Sequence, residues 1–84
     1  MTDQQLLDLL HQGLHHVTRR TFPPLSSQDN IESLGVDSLE LLELVSWAEE
    51  KTEQRVPDEE IHAIVSVGDL ITLLSDAGAK ETLE

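Results

Sequence analysis

Leucines mark out the start of the chain. Leu6, Leu7, Leu10, Leu14 and Val17 fall on one stripe at helical spacing. Thr2 precedes that stripe and Gln5 follows three positions later, the pattern of a reciprocal capping box. Arg19 and Arg20 suit the negative end of a helix dipole. Phe22-Pro23-Pro24 then stops the helix, because proline has no N–H with which to continue the ladder. The next stretch, 23–36, is polar and rich in Ser, Gln, Asp and Asn, which predicts a long loop. Leu25, Ile31 and Leu34 are its apolar residues and are expected to pin it to the core.

A second helix is predicted from about Asp37 to about Thr52, again opened by a box, with Asp37 as cap and Glu40 three later. Leu44, Val45 and Ala48 share one face, with Leu41 close to it. Leu39, Leu42 and Ser46 lie on another face, among Glu40, Glu43, Glu49 and Glu50. This helix therefore carries more apolar surface than one core requires. Val56-Pro57 breaks the pattern, and Asp58–Val65 predict a short third helix with Ile61 and Ile64 inward. Ser66 to Asp69 form another cap, Leu70, Ile71, Leu73 and Leu74 the stripe of a fourth helix, and Gly78 its expected stop. No segment alternates strictly, as a half-buried strand would. The expected fold is all-α, a small four-helix bundle of three longer helices and a short third, with a long loop between the first two. It forms one domain over 1–84, with a core over about 3–77 and a disordered tail over 79–84.

Composition narrows the classes. At 84 residues the chain has a thin core, of the size that buries roughly 60–65% of its unfolded surface. It has no cysteine, so any thiol chemistry needs an imported thiol, and its two aromatic residues are Phe22 and Trp47. No apolar run approaches the ~20 residues of a membrane span. MTDQQ also lacks the basic start of a secretory signal, so a cytoplasmic, monomeric protein is expected.

Charge changes the picture more. The net is −12, and residues 29–60 hold eleven acids against Lys51 and Arg55, a local net of −9. Such a field repels nucleic acid and anionic membrane and attracts basic protein surfaces. A purely solvated acidic face is the plainer alternative.

The hydroxyl of Ser38 stands alone in LGVDSLELLEL, Leu34–Leu44. A serine nucleophile needs a base and a group to orient it, and the GxSxG elbow is absent, since Val36 and Glu40 stand where its glycines would. The histidines, His11, His15, His16 and His62, belong to no catalytic or metal motif. The acids near Asp37 do not follow the calcium-loop ligand order. What remains for Ser38 is a helix-start residue or a modification site. With Asp37 as cap, Ser38 occupies the first helical position. A phosphate ester there meets free backbone N–H groups and the dipole, worth about 0.3–1 kcal/mol at an exposed site. Asp37 and Glu40 oppose it by about 0–1 kcal/mol. A group on that ester would be neither docked nor expelled, and an arm would stay mobile.

LGVDSLELLEL resembles the signature of the acyl carrier proteins, the stand-alone phosphopantetheine-binding carriers: Leu-Gly, a variable residue, Asp-Ser-Leu, then an acidic amphipathic helix. Val56-Pro57-Asp58-Glu59-Glu60 is similar to the family's approach to its third helix, and Ser66-Val67 to its approach to the fourth, so the likeness covers about 3–77. The resemblance implies a non-catalytic carrier with 4′-phosphopantetheine on Ser38 through a phosphodiester. A phosphopantetheinyl transferase would install it from coenzyme A, and its thiol would hold acyl groups as thioesters. It also implies acyl-loading, elongating or modifying enzymes with basic docking surfaces as partners. The matching contact positions are Asp37, Leu39, Glu40, Leu42, Glu43, Ser46, Glu49, Glu50 and Ile61. Asn30 stands where the family often has phenylalanine, Ser46 where a larger apolar contact is common, Thr52 where a core aromatic is common, and Trp47 is unusual mid-helix. These departures point to a specialised natural-product pathway of fatty-acid or polyketide type. An aminoacyl or peptidyl carrier of a nonribosomal-peptide pathway is the alternative. Those carriers more often read Gly-Gly-His/Asp-Ser.

Overall fold

A computed structural model describes the backbone of residues 2–83 and the side chains of residues 2–75. Its elements are α1 (Asp3–Thr18), a 3-10 turn (Glu32–Leu34), α2 (Ser38–Thr52), α3 (Asp58–Ile61) and α4 (Val67–Leu83). The described residues contain no strand, in keeping with the all-α expectation.

Local chemistry sets the helix starts. At α1 the Thr2 hydroxyl accepts the Gln5 N–H at 3.2 Å and the Gln5 side chain accepts the Thr2 N–H at 2.8 Å. Asp37 and Glu40 repeat the exchange at α2, at 2.8 and 3.2 Å. The ends of both helices are closed by residues in the left-handed region, Arg19 (φ 64°) and Glu53 (φ 57°), whose N–H groups return to the carbonyls of His15 and Glu49.

One apolar core joins the elements. Leu6, Leu10 and Leu14 of α1 meet Leu41, Leu44, Val45 and Ala48 of α2 and Val67, Leu70, Ile71 and Leu74 of α4. Ile61 and Ile64 close one side, and no described buried residue is polar or charged. Each of the leucine, isoleucine and valine side chains contributes about 1.5–3 kcal/mol when fully buried. Gly13 lets α1 and α2 approach closely: a Cβ there would lie 2.7 Å from both Leu44 Cδ1 and Trp47 Cε3. Trp47 is thus half-buried against α1, with Lys51 Nζ 5.5 Å from its ring centroid.

Three expectations need correction. The third helix is a single turn that ends at Ile61 rather than running to Val65. Pro57 offers no side-chain cap, and the Val65 carbonyl accepts the Ile31 N–H at 2.9 Å, which draws the backbone out of helical geometry. The Val67 N–H bonds the Asp29 carbonyl at 2.9 Å, completing an isolated antiparallel bridge between Asn30 and Ser66. That bridge and buried Ile31 anchor the long loop, which also holds a 3-10 turn where plain loop is expected. Gly78 does not end α4, whose bounds reach Leu83: glycine costs a helix interior only about 1 kcal/mol and stops it only in a left-handed cap. The expectation of a disordered 79–84 tail concerns residues whose side chains lie outside the described residues.

Candidate functional site

Ser38 is the first residue of α2, exposed, and one position past the capping Asp37. Asp37 takes the Glu40 N–H, so the N–H groups of Ser38 and Leu39 have no backbone acceptor among the described residues. The Ser38 hydroxyl likewise has no hydrogen bond there. This oxygen is available to react, and the backbone next to it offers two donors to an attached phosphate. Ser38 also stands at the rim of a cavity of about 700 Å³ between the loop, α2 and the α3 region. Ile31, Val36, Leu41, Leu42, Ile61, Ile64 and Val65 supply its apolar wall. Leu41 and Ile64 line it, whereas Leu44 is buried in the core and does not.

The acids expected to meet partners divide by what they already hold. Glu43 and Glu50 are exposed and make no hydrogen bond through their side chains among the described residues. Asp37 is exposed, with one carboxylate oxygen taken by the cap. Glu40 is only a quarter exposed, and its Oε1 accepts both the Asp37 N–H and Nη2 of Arg20, the latter at 3.1 Å. Glu49 turns inward, where its Oε2 accepts the Val56 N–H at 2.6 Å and secures the chain after α2. One Glu49 oxygen is therefore already occupied by a backbone donor.

Among the apolar contact positions, Leu39 and Leu42 are exposed, at 65% and 43%, and Ser46 is exposed beside them on α2. Ile61 is buried, facing the cavity and not solvent. Val65, 58% exposed and on the same cavity wall, is not among the expected contact positions, because the pattern 58–65 predicts it inside a helix. The signal lay in Ser66 and Asp69. Asp69 Oδ2 accepts the N–H groups of both Val65 and Ser66 at 3.0 Å, which fixes Val65 outside α4. Those backbone bonds hold the Asp69 carboxyl below its ordinary value of 3.8, slight desolvation opposing them. No group of three or more metal-ligating side chains occurs among the described residues, and no helix there is long and apolar enough to cross a membrane.

Known proteins resemble the chain at three levels: a family, relatives in sequence, and solved structures. Residues 5–74 match the family described as Phosphopantetheine attachment site. The acyl carrier protein of Campylobacter curvus is 42% identical over 48 residues, 57% of this chain and 62% of that protein. The acyl carrier protein of Wolinella succinogenes is 49% identical over 41 residues, 49% of this chain and 54% of that protein. The chain thus spans about three-fifths or less of the length of these curated relatives. In fold it is similar to the crystal structure of an acyl carrier protein from Thermotoga maritima, with a TM-score of 0.87, 23% identity, and 93% and 92% of the two chains covered. It is also similar to the solution structure of the acetyl actinorhodin acyl carrier protein of Streptomyces coelicolor, with a TM-score of 0.75, 20% identity, and 96% and 94% covered.

Proposed function

The chain belongs to the phosphopantetheine attachment-site family, and from that premise we propose that Ser38 bears the 4′-phosphopantetheine arm and that the protein carries acyl groups between enzymes. The observation that carries this reading is the unbonded, exposed Ser38 hydroxyl at the origin of α2, on the rim of the apolar cavity.

The residues fit such a group. In loading, Ser38 Oγ attacks the phosphorus of coenzyme A that bears the pantetheine. A new P–O bond forms, the bond to adenosine 3′,5′-bisphosphate breaks with its electron pair, and the serine proton passes to a base of the transferase. Bound, the group supplies a terminal thiol that holds an acyl chain as a thioester. The Ser38 and Leu39 N–H groups and the α2 dipole would hold an ester phosphate only weakly, by about 0.3–1 kcal/mol. The cavity wall of Leu41, Leu42, Ile64 and Val65 gives apolar cargo somewhere to shelter.

Partner choice follows from the same face. Asp37, Glu43 and Glu50 present negative charge to basic docking surfaces, and Leu39, Leu42 and Val65 supply desolvated contact between them. The partners in this reading are a phosphopantetheinyl transferase and acyl-processing enzymes. Exposed Ser46, where the family commonly has a larger apolar contact, supports a specialised pathway of fatty-acid or polyketide type over general fatty-acid synthesis. The carrier reading is tested by incubating the protein with coenzyme A, Mg²⁺ and a broad-specificity transferase and measuring intact mass. A gain of one phosphopantetheine, absent in Ser38→Ala, is expected; an unmodified wild type beside a labelled control carrier sinks the reading. For the pathway, failure to replace a housekeeping carrier in fatty-acid synthesis is expected, and full complementation would end that part.

A further inference from the structure

Arg20 is distant from Ser38 in sequence but close to its turn in space. Its backbone is tied to α1 at both polar atoms: the N–H donates to Thr18 Oγ1 at 3.1 Å, and the carbonyl accepts from His15 Nδ1 at 3.1 Å. The next anchor is Phe22, buried, whose carbonyl accepts from His11 Nε2 at 2.7 Å. From this fixed base the Arg20 side chain crosses to the segment that leads into α2. Nη2 donates to the Gly35 carbonyl at 2.8 Å and to Glu40 Oε1 at 3.1 Å, and the guanidinium carbon lies 5.4 Å from the Phe22 ring centroid.

The two acceptors flank Ser38, one on each side. Gly35 turns the chain with φ 81°, and a Cβ there would stand 3.0 Å from Arg20 Nη1, so the guanidinium lies against bare backbone. Glu40 Oε1 is the same oxygen that accepts the Asp37 N–H in the capping box. One arginine nitrogen therefore holds both the carbonyl before the helix and the carboxylate that closes its first turn. A planar guanidinium does this with fixed geometry, and a lysine ammonium does not.

We propose that Arg20 is a positioning residue for Ser38: it clamps the Gly35–Glu40 segment to α1 in the geometry that a transferase accepts. The inference rests on the reading of Ser38 as the attachment point. Arg20 and Glu40 are 47% and 25% exposed, so the pair adds little to global stability. Its effect lies in the order of the turn, because a loosened nucleophile populates the reactive geometry less often. Glu40 is at the same time spent internally, which leaves Asp37, Glu43 and Glu50 to meet a basic partner.

The sign of one substitution separates this clamp from plain charge. Arg20→Ala makes the docking side more negative, so electrostatic attraction alone predicts faster loading by a basic transferase. The clamp predicts slower loading, with kcat/KM down roughly fivefold, the size expected for losing an exposed ion pair and a hydrogen bond. Arg20→Lys keeps the charge and should recover part of the loss. Amide hydrogen exchange at Asp37 and Glu40 should quicken in Arg20→Ala while the melting temperature stays near wild type. Unchanged or faster loading of Arg20→Ala, with wild type loading normally, overturns the clamp and leaves the carrier reading intact. A wild type that is not loaded at all overturns the carrier reading and the clamp with it.

Discussion

Gly13→Ala opposes two well-known effects, and the structure says which wins. In an ordinary helix the change gains about 0.8–1.0 kcal/mol, because alanine loses less backbone entropy. Here the new methyl would lie 2.7 Å from Leu44 Cδ1, 2.7 Å from Trp47 Cε3 and 2.8 Å from Trp47 Cζ3. Carbon pairs rest at about 3.5–4.0 Å, so the overlap is close to 1 Å at three atoms. Leu44 is 1% exposed and has no room to turn away, and an indole is rigid. Relief requires α1 and α2 to part or the ring of Trp47 to swing out, and overpacking of this kind costs about 1–3 kcal/mol. The expected net is a loss of about 1 kcal/mol, or a melting temperature lower by about 4–8 °C for a domain of this size. Thermal melts by circular dichroism measure it, and the fluorescence of Trp47, the only tryptophan, reports its displacement. In a Trp47→Ala background the penalty should shrink, since two of the three short contacts are to the indole. A Gly13→Ala protein as stable as wild type, or more so, refutes the close-approach argument.

Other consequences follow from the same contacts. Glu49→Ala should lower stability by about 1 kcal/mol, because the Val56 N–H loses its acceptor, whereas Glu43→Ala should leave the melt unchanged and weaken only docking to basic partners. Asp69 has a carboxyl held below 3.8, so its stabilising bonds are fully present above that pH and are lost as pH falls through its lowered folded value. The gap in unfolding free energy between wild type and Asp69→Ala should accordingly be constant near neutrality and close in strong acid. Added salt should raise the melting temperature, since residues 29–60 carry a net −9 and Arg20–Glu40 is the only ion pair among the described residues; a flat or falling melt contradicts this.

What could be read from sequence was local. The boxes Thr2/Gln5 and Asp37/Glu40 lie within one helical turn, and the stripes of α1, α2 and α4 repeat within a few residues, so their chemistry is written in adjacent letters. The exposed Ser38 followed from its place one residue after a cap. Contacts between distant segments were not legible. Asn30 and Ser66 pair across 36 positions, and that pairing shortened α3 and freed Val65. Glu49 looked like another surface acid until the backbone of Val56 folded onto it. Arg20 looked like a charge suited to the end of α1, and only the fold brings it to Gly35 and Glu40. Ile61 satisfied both the core pattern and the contact pattern, and only the fold shows it buried on the cavity wall.

The central claim is that one particular oxygen carries the prosthetic arm. Site mapping reads it directly: load the protein with coenzyme A, digest it, and locate the added phosphopantetheine by fragment masses. The account predicts that all of the label falls on Ser38 and none on Ser33 or Ser46, its nearest serine neighbours along the chain. Label on another residue, or a competent transferase that leaves Ser38 bare, would contradict it.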